Sequence, residues 1–472
     1  MALILTSCSD DEPVYMPPKP PVTGVGEAKA WVTTGNRNRL LHQEGDIIIY
    51  EGQQTDLPST SIDFDELFQE MEGFGAALTG SSAWLINRQM SNAQSQQLLT
   101  DLFHPDNGIG VSYLRLPMGS SDFSLSNYTY NDLLPGQSDP DLEFFSIAPD
   151  RQDIIPVLKR ILEINPEIKI MGSPWSAPAW MKTSGSLMGG KLKEEWYETY
   201  ALYFVKFIQA YALEGIPIDA ITPQNEPLHE SSGYPTMRME AHEQNVFIRD
   251  HLGPLFIEHG ITTKIIIYDH NWDRFDYPIE ILNDPVTRDY VEGSAFHAYG
   301  GSVSAMSQVH ATHPDKGLYF TEISGGGWAT DFSDNLKWNM SNIFIGTANH
   351  WSKNALLWNL ALDQNDGPTN GGCQNCRGVV TILPGGNVER NEEYYALGHM
   401  SKFIKPGARR AASTGFPSSE NLESVAFVNP DDSKVLVVLN SNTSPKSFAV
   451  NFDDKIFEYR IDGNAVATIV WE

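Results

Sequence analysis

Residues 264–270 have the sequence Lys-Ile-Ile-Ile-Tyr-Asp-His, a continuous apolar run that ends in polar residues. A strand that is buried on both faces requires such a run, because helices cover both sides of a parallel sheet. From Met71 onward, similar short runs alternate with helical patterns, which is typical of consecutive βα units. The stretch therefore predicts one strand of a parallel sheet or barrel.

The helical patterns between these runs are clearest from Glu194 to Glu214. Apolar residues recur there at steps of three and four and form one stripe, and Gly215 follows where a helix C-cap is expected. A second helix is predicted from Ser91, as its N-cap, to Phe103. Eight strands can be counted, so we expect an α/β fold of the (β/α)8 TIM-barrel class. The predicted strands end near Thr79, Met118, Trp175, Glu226, His270, Tyr299, Glu322 and Trp358.

The two ends of the chain have a different pattern. Residues 30–50 and 409–472 contain short alternating strands with turn residues, and Val435–Leu439 is one such strand. Strands contributed by both termini predict a β-sandwich beside the barrel. The expected segments are a lipoprotein-type terminus with a proline-rich tether (1–27), sandwich strands (28–70), the catalytic barrel (71–405) and the rest of the sandwich (406–472).

The composition limits the partners that the protein can have. The chain has 472 residues, 41% of them hydrophobic, which suits a barrel with a small companion domain. Its formal net charge of -28 repels phosphate backbones and anionic lipids, so we expect no nucleic-acid partner. A neutral polysaccharide meets no such barrier. No run approaches the roughly 20 apolar residues of a membrane span, and a monomer is the expected oligomeric state.

The N-terminus contains a candidate lipidation site. Leu5-Thr6-Ser7-Cys8 resembles a bacterial lipobox, and Ser9-Asp10-Asp11-Glu12 resembles the acidic export signal of Bacteroidetes surface lipoproteins. Five prolines between residues 9 and 27 would form a stiff tether. We therefore expect an exported outer-membrane surface lipoprotein of a Bacteroidetes-type bacterium, held to the membrane only through Cys8. The alternative is a terminus unrelated to export, because the preceding stretch is too short and lacks basic residues.

Two glutamates end predicted strands on opposite sides of the barrel. Glu226 closes the stretch Ile221-Thr222-Pro223-Gln224-Asn225-Glu226, and Glu322 closes Leu318-Tyr319-Phe320-Thr321-Glu322. Active sites of such barrels lie at the carboxyl ends of the strands. Hydrolysis of an acetal needs one protonated and one ionised carboxyl group, and a separation of about 5 Å gives retention of configuration. The pair therefore predicts a retaining glycosidase, with Glu226 as general acid/base and Glu322 as nucleophile.

Each glutamate taken alone also has a structural explanation, because a buried carboxylate can simply pair with an arginine. That explanation is weaker for two glutamates at facing strand ends. Asn225 favours the functional interpretation, since an amide beside the acid can hydrogen-bond a sugar 2-hydroxyl. A metal-dependent hydrolase that uses Asp269, His270 and His297 is a further alternative. For the glycosidase we expect neither a metal nor another cofactor.

Six motifs occur in order along the predicted strands. They are Gly73-Phe74-Gly75-Ala76-Ala77; Leu114-Arg115-Leu116-Pro117-Met118-Gly119 with Asp122-Phe123-Ser124; Ser173-Pro174-Trp175-Ser176-Ala177-Pro178; Asn225-Glu226-Pro227; Phe296-His297-Ala298-Tyr299; and Thr321-Glu322. On these motifs the chain resembles glycoside hydrolase family 30, from about Gly73 to the C-terminus. The resemblance implies a (β/α)8 barrel with a β-sandwich. The members of this family include glucosylceramidases, β-1,6-glucanases and xylanases.

The resemblance also implies residues that bind the sugar at the cleaved end. The matching positions are Asp122 for hydroxyls, Asn225 for the 2-hydroxyl, and Trp175 and Trp358 for the aromatic walls of the pocket. Arg115 matches a barrel-interior arginine whose charge would keep Glu322 ionised. Tyr299 is positioned to donate a hydrogen bond to Glu322, and Tyr234 to line the entrance. His297 ends the sixth strand beside the site, where a structural role and a functional role are both open.

Cys373 and Cys376 follow the eighth predicted strand, in a segment most similar to the β-1,6-glucanase branch of the family. In an exported protein, Cys-x-x-Cys can close a small disulfide loop that fixes one side of the cleft. A metal site is the alternative, although no second cysteine pair accompanies this one. We therefore expect a disulfide between the two cysteines.

The leading hypothesis is an endo-β-1,6-glucanase that acts on β-glucan through a covalent glycosyl-enzyme. An exo-acting β-glucosidase or glucosylceramidase-like enzyme, or a xylanase, is the alternative within the family. A surface lipoprotein that binds glycans on an inactive barrel is a distant alternative from another class, which the presence of both carboxylates disfavours.

Overall fold

The computed structural model describes residues 24–52 and 55–472, which form a barrel and a β-sandwich. Cys8 and most of the predicted tether lie outside the described residues, so lipid attachment stays a prediction. Within the described ranges, every helix is too short or too polar to cross a lipid bilayer.

Four strands precede the barrel and belong to the sandwich. They are β1 (Gly26–Thr34), β2 (His42–Gln43), β3 (Ile47–Glu51) and β4 (Ser59–Glu70). Along β1 every second residue from Ala28 to Val32 is fully buried, which is the alternation expected of a strand with one face on a core.

Eight parallel strands form the barrel, which confirms the predicted fold class. They are β5 (Gly73–Ala77), β6 (Tyr113–Pro117), β7 (Lys169–Ser173), β8 (Ala220–Ile221), β9 (Lys264–Asn271), β10 (Val291–His297), β11 (Gly317–Glu322) and β13 (Asn354–Asn359). The two-residue strand β12 (Gly325–Gly326) lies outside the barrel. Two contacts close the barrel between β13 and β11. Asn354 Oδ1 accepts a hydrogen bond from the Phe320 N–H at 2.8 Å, and Leu318 forms an isolated β-bridge with Ser352.

The fourth strand is shorter than the sequence pattern predicts. It ends at Ile221, five residues before Glu226, because Pro223 has no N–H to continue the ladder. The chain then turns back towards β9, where the Glu226 N–H donates to the Asp269 carbonyl at 3.0 Å. Glu226 therefore lies in a loop with a left-handed backbone, φ 45°, rather than at a strand end.

Helices alternate with the barrel strands. They are α1 (Gly80–Trp84), α2 (Asn92–Phe103), α3 (Ile154–Ile164), α4 (Tyr197–Leu213), α5 (Ala241–Phe247), α6 (Gly253–Glu258), α7 (Asp276–Leu282), α8 (Pro285–Tyr290), α9 (Ser304–Thr312), α10 (Phe332–Trp338), α11 (Ile345–Asn349) and α12 (Glu392–Ser401). Single π-helical turns occupy Leu85–Gln89, Ile248–Leu252 and Asn339–Phe344. Short 3₁₀ turns occupy Asp150–Gln152, Ala179–Met181, Glu194–Trp196, Trp272–Arg274 and Ser418–Glu420.

Both helices that the sequence predicts are present, with local signals at their ends. The Ser91 hydroxyl accepts a hydrogen bond from the Gln94 N–H at 3.3 Å, which caps α2. The predicted helix from Glu194 begins as a 3₁₀ turn and becomes α4 at Tyr197. Gly215 follows it with φ 80°, a left-handed conformation that glycine adopts without a steric cost.

Six strands after the barrel complete the sandwich. They are β18 (Arg409–Ser413), β19 (Leu422–Val428), β20 (Lys434–Asn440), β21 (Lys446–Phe452), β22 (Lys455–Ile461) and β23 (Ala465–Trp471). The strands join in the order β2-β1-β23-β20-β19-β18-β4-β21-β22-β3, and β1 also pairs with β3. The sandwich is therefore one continuous circuit of strands from both termini, closed around its own apolar core. The intervening strands β14 (Ala361–Asp363), β15 (Cys376–Arg377), β16 (Val380–Ile382) and β17 (Val388–Arg390) belong to loops above the barrel.

The barrel interior is filled rather than hollow. Seven of its strands each contribute one fully buried side chain to an inner layer: Tyr113, Met171, Ala220, Ile266, Ala295, Tyr319 and Leu356. A larger apolar cluster fills the space between strands and helices and continues into the sandwich at Val435 and Val437. The inner layer closes the barrel below the strand ends, so the remaining open space lies at their carboxyl side.

The amino-terminal end of the barrel is closed by a buried ion cluster. Glu72 is 3% exposed, and its carboxylate contacts Lys264 Nζ at 2.7 Å and Lys353 Nζ at 2.9 Å. The Tyr319 hydroxyl donates to the same carboxylate at 2.9 Å. Burial raises the pKa of Glu72, but the two lysines outweigh it and lower that pKa to about 2.

We expect Glu72→Gln to lower the free energy of unfolding by about 3 kcal/mol at neutral pH, because it removes the buried anion and leaves Lys264 and Lys353 only the more distant Glu292 as a partner. A lowered carboxyl pKa stabilises the fold above the unfolded-state pKa, near 4.3. The contribution should therefore disappear as the pH falls towards the folded value of about 2. Urea unfolding at several pH values measures it. An equal loss of stability at neutral and acidic pH would contradict the assignment.

Candidate active site

A pocket of about 410 Å³ opens at the carboxyl ends of the barrel strands. Nearly all of the residues singled out from the sequence lie in its wall. The lining residues are Asp122, Trp175, Asn225, Glu226, His229, Tyr234, His270, Asn271, Tyr299, Glu322, Trp328, Trp358, Cys373 and Cys376. Arg115 and His297 lie directly behind this lining, hydrogen-bonded to Glu322 and Glu226 respectively.

Glu226 and Glu322 meet across this pocket. One carboxylate oxygen of each, together with a ring nitrogen of His297, lie within 4.8 Å of one another. Carboxyl groups in retaining glycosidases are separated by roughly 5 Å, and those in inverting enzymes by about 6.5–9.5 Å. The geometry therefore fits direct attack by one carboxylate on a sugar carbon that the other protonates.

Arg115 connects the two sides of the site. Its guanidinium is fully buried and donates to Glu322 at 2.5 Å, to Asp269 at 2.8 Å and to Asn225 at 2.6 Å. The cation also lies over the Trp175 ring, 4.9 Å from its centroid. Charge and hydrogen bonds of this kind favour an ionised carboxylate at Glu322 and hold it at a fixed position.

Asp269 is the central acceptor of this network. Besides Arg115, its carboxylate receives hydrogen bonds from Ser173 at 2.7 Å, Thr222 at 2.8 Å and Thr321 at 2.6 Å. Burial raises the pKa of Asp269, but Arg115 and His297 outweigh it and hold the pKa well below its usual range. Asp269 is therefore a permanent buried anion. The sequence pattern indicated Asp269 only as a possible metal ligand, because the donors that make it a structural anion are far apart in the chain.

His297 bridges the buried anion and the predicted acid. Its Nε2 lies 2.9 Å from Asp269 Oδ1, and its Nδ1 lies 3.1 Å from Glu226 Oε1. Burial lowers the pKa of His297, but the carboxylates of Glu322 and Asp269 outweigh that effect and raise the pKa to about 9. His297 is therefore an imidazolium at neutral pH, and both of its N–H groups donate to carboxylates.

The pKa values of the two glutamates are shifted in opposite directions. Burial raises the pKa of Glu226, but the hydrogen bond from His297 and the charges of His270 and His297 lower it to about 2. Burial raises the pKa of Glu322 above its usual value; Glu226 and Asp269 add to this, while His297 and Arg115 act against it. The lower carboxyl pKa of the two thus belongs to Glu226, and the protonated His297 ring lies one hydrogen bond away from it.

The inner wall of the pocket consists of the predicted aromatic residues. Trp175 and Trp358 are 2% and 3% exposed and stack on each other with ring centroids 5.1 Å apart. The side chain of Asp122 packs against Gly372, where an added Cβ would lie only 2.3 Å from it. Desolvation raises the pKa of Asp122 well above its usual range, and repulsion from Glu322 adds to this. The wall offers apolar rings and a polar group that can bind hydroxyls.

The outer part of the pocket contains tyrosines and additional histidines. The Tyr299 hydroxyl donates to Glu322 Oε1 at 3.0 Å, which is the contact anticipated from the sequence. Tyr234 lines the entrance, and its hydroxyl lies 2.8 Å from His229 Nε2. His270 Nε2 lies 3.9 Å from Glu226, and burial lowers the pKa of His270 to about 4. His229 was missed because nothing in its local sequence distinguishes it from a surface loop histidine.

Cys373 and Cys376 are joined by a disulfide and line the pocket. Their sulfurs are therefore not available as metal ligands. The loop pairs with β12, where Gly326 lies opposite Cys376 and Gly325 opposite Arg377. The disulfide loop and the segment that follows Glu322 thus form one side of the pocket together.

The grouping of Glu226, His297 and Glu322 also has a spacing that metal ligands can adopt. However, both ring nitrogens of His297 already bond to carboxylates, and Arg115 places a fixed positive charge against Glu322. A second cation would be repelled by that charge. The donor set fits acid–base and nucleophilic chemistry at two carboxylates better than it fits a metal centre.

A (β/α)8 barrel that holds two carboxylates at this separation, at the carboxyl ends of its strands, has the arrangement of a glycosidase. The chain belongs to glycosyl hydrolase family 30. Residues 71–404 match the TIM-barrel domain of that family, and residues 407–469 match its β-sandwich domain. Family, fold and enzyme class therefore agree with those inferred from the motifs.

Known relatives include glucanases and glucosylceramidases. The chain is 35% identical over 401 residues to endo-1,6-β-D-glucanase neg1 of Aspergillus fumigatus, and the alignment covers 79% of each chain. It is 30% identical over 428 residues to the lysosomal acid glucosylceramidase of Mus musculus, covering 86% of this chain and 82% of the relative. The solved structure of the endo-β1,6-glucanase BT3312 has a TM-score of 0.88 at 36% identity, covering 95% of this chain and 99% of that one.

We expect His297 and His399, two histidines without exposed surface, to carry opposite charges at neutral pH. His297 has a pKa of about 9, whereas burial lowers the pKa of His399, which contacts the Thr33 and Thr468 hydroxyls, to about 3. Nuclear magnetic resonance of the protein with ¹⁵N-labelled histidine, assigned with His297→Asn and His399→Asn, measures both states. A neutral His297 ring at pH 7 would contradict the electrostatic account of the site.

Proposed function

We propose that the protein is an endo-acting β-1,6-glucanase that hydrolyses β-1,6-glucan with retention of configuration. The observation that carries this proposal is the pair Glu226 and Glu322, whose oxygens approach within 4.8 Å in the pocket. The wider separation of carboxyl groups in inverting enzymes admits a water molecule between substrate and base. The shorter separation of Glu226 and Glu322 favours direct attack by a carboxylate. A covalent glycosyl-enzyme follows from that geometry.

The relatives support the choice of substrate. Those named as endo-β-1,6-glucanases include proteins at 35% and 36% identity, compared with 30% for the mouse glucosylceramidase. Recognition of a neutral glucan also suits a surface with a net charge of -28, which would repel an anionic lipid interface.

In the proposed first step, the Glu322 carboxylate attacks the anomeric carbon while Glu226 donates its proton to the glycosidic oxygen. The bond from the anomeric carbon to the leaving sugar breaks, and a bond to Glu322 forms. In the second step, water attacks the same carbon, the ionised Glu226 accepts its proton, and Glu322 leaves as a carboxylate. The proton that departs with the released sugar is replaced by the proton taken from water, so the site returns to its starting state.

Glu226 must hold a proton in the first step, although its histidine neighbours lower its pKa. His297 supplies that proton along the 3.1 Å hydrogen bond to Glu226, which leaves a neutral imidazole and a neutral carboxylic acid. A bound sugar displaces water from the pocket, and desolvation disfavours the charged form of this pair. Substrate binding thus shifts the proton to the residue that needs it.

The sugar at the cleaved end would lie against Trp358 and Trp175, whose rings cover its apolar face. Asn225 is held by Arg115 at 2.6 Å and would direct its amide N–H₂ to the 2-hydroxyl. Asp122 would bind further hydroxyls. Tyr299 orients Glu322 by its 3.0 Å hydrogen bond.

An exo-acting, glucosylceramidase-like enzyme is the second candidate function. The observation in its favour is the 30% identity to the mouse lysosomal glucosylceramidase over 86% of this chain. The length of the first products distinguishes the two: an endo-acting enzyme releases oligosaccharides early, and an exo-acting enzyme releases only glucose.

We expect wild-type protein to release short oligosaccharides from β-1,6-glucan, and to be much slower on β-1,3-glucan, β-1,4-glucan, xylan and a glucosyl lipid. Glu322→Gln should reduce that activity by roughly 1,000-fold or more while glucan binding is retained. Chromatography of early products measures the first result and affinity electrophoresis the second. Glu292→Gln, at a half-exposed site on β10, is the matched control and should be fully active. If the wild-type protein binds glucan without cleaving it, the proposed activity is wrong and the protein is a glycan-binding protein.

Glu226→Ala should slow hydrolysis of poor leaving groups by roughly 100- to 10,000-fold, because their departure requires the general acid. With an activated aryl β-glucoside, added azide should restore part of the rate, since a small anion can enter the vacated space and attack the glycosyl-enzyme. The product should be a β-glycosyl azide, identified by its anomeric coupling constant. An α-glycosyl azide would show that the reaction does not proceed through two inversions at Glu322.

A further inference from the structure

One tryptophan of the pocket is not in the inner wall. Trp328 lines the pocket and is 57% exposed, whereas Trp175 and Trp358 are 2% and 3% exposed. An indole that remains in contact with water forgoes the free energy of burial, so its position at a binding pocket points to a ligand that covers it.

The Trp328 ring is held against the backbone rather than extending freely. A Cβ added at Gly326 would lie 2.2 Å from the six-membered part of the ring and 2.4 Å from the Asn375 carbonyl. The ring therefore packs on the flat surface that Gly326 leaves. The Gly327 N–H donates to the Asn375 carbonyl at 2.8 Å, and the Ala329 N–H donates to the Gly326 carbonyl at 3.1 Å, which closes a tight turn around Trp328.

The disulfide loop fixes the support on which the ring lies. Cys376 pairs with Gly326 across the two short strands, and the disulfide to Cys373 closes the loop that contains Asn375. Arg377, the next residue, forms an ion pair with the buried Glu393 at 3.0 Å. A side chain that is fixed before binding loses little conformational entropy when a ligand covers it.

The position of Trp328 relative to the carboxylates defines what that ligand is. The inner wall of Trp175 and Trp358 accommodates one sugar ring against Glu322, and the rest of a glucan chain must leave through the open side of the pocket. Trp328 lines the same pocket as Glu322 and is more than half exposed, which places its ring at the solvent-facing edge of that pocket. The C–H face of a glucosyl ring is apolar and flat, and an exposed indole can stack on it without requiring a particular hydroxyl.

We propose that Trp328 is a platform for a second glucosyl unit of the chain, adjacent to the unit bound in the inner pocket, and that the Cys373–Cys376 loop holds this platform in place. The inference rests on the proposed function, since it assigns a further subsite to the same site. It makes Trp328 a residue that selects chains over single glucosides and has no part in bond cleavage.

The test compares two substrates of different length. Trp328→Ala should reduce kcat/KM for a β-1,6-gluco-oligosaccharide by about ten- to 100-fold, mainly through KM, as expected for the loss of an aromatic anchor. The value for an aryl β-glucoside, which fills only the inner pocket, should not change. Trp328→Phe should restore most of the oligosaccharide activity, because it retains a flat ring.

Trp338→Ala is the matched control. Trp338 is 42% exposed at the end of α10 and lies outside the pocket lining, so its removal should affect neither substrate. The proposed role of Trp328 would be wrong if Trp328→Ala lost activity equally on both substrates, or if it kept full activity on the oligosaccharide. A wild-type protein that cleaves the aryl glucoside but no β-1,6-linked chain would instead refute the proposed function. The same variants would then be measured on the oligosaccharide that the wild type cleaves, where only a selective loss would support the platform.

Discussion

The Arg115 guanidinium is the interaction on which the rest of the active-site end depends. Its bonds reach Asp269 on β9, Glu322 on β11 and Asn225 in the loop after β8, so one side chain fixes three separate segments. Without this cation, only the His297 imidazolium would balance the buried carboxylates of Asp269, Glu322 and Glu226, and an unbalanced buried charge is strongly destabilising. Arg115 therefore does two things at once: it balances the charge of the barrel interior and it fixes the positions of Glu322 and Asn225.

That constraint explains the unusual backbone beside it. Glu226, Tyr268 and Asp269 all have left-handed φ angles of 45°, 75° and 64°, a conformation that costs non-glycine residues of order 1 kcal/mol or more each. The network around Asp269 offsets this cost: hydrogen bonds from Ser173, Thr222 and Thr321 converge on one carboxylate. Rigid placement of Glu226 thus comes from groups that never touch the substrate, since its N–H is bound to the Asp269 carbonyl.

The sequence was sufficient for the fold class, the order of the strands and the pairing of Glu226 with Glu322, because these follow from apolar periodicity and from residues at strand ends. It was insufficient where several segments act together. The early end of β8 at Ile221 depends on Pro223 and on the contact with β9, and the role of Asp269 depends on donors that are far apart in the chain. Trp328 could not be distinguished from core tryptophans, because exposure is a property of the folded chain.

The pairing of β1 with β23 has a consequence for biosynthesis. Ala28 lies opposite Trp471, so β1 can pair early with β2 and β3 but not with β23 until the ribosome has made residue 471. The intervening barrel emerges meanwhile, with the apolar surface that contacts Val435 and Val437 still uncovered. The sandwich therefore cannot complete its fold before the barrel has been synthesised, and β1 keeps an unpaired sheet edge until β23 has emerged.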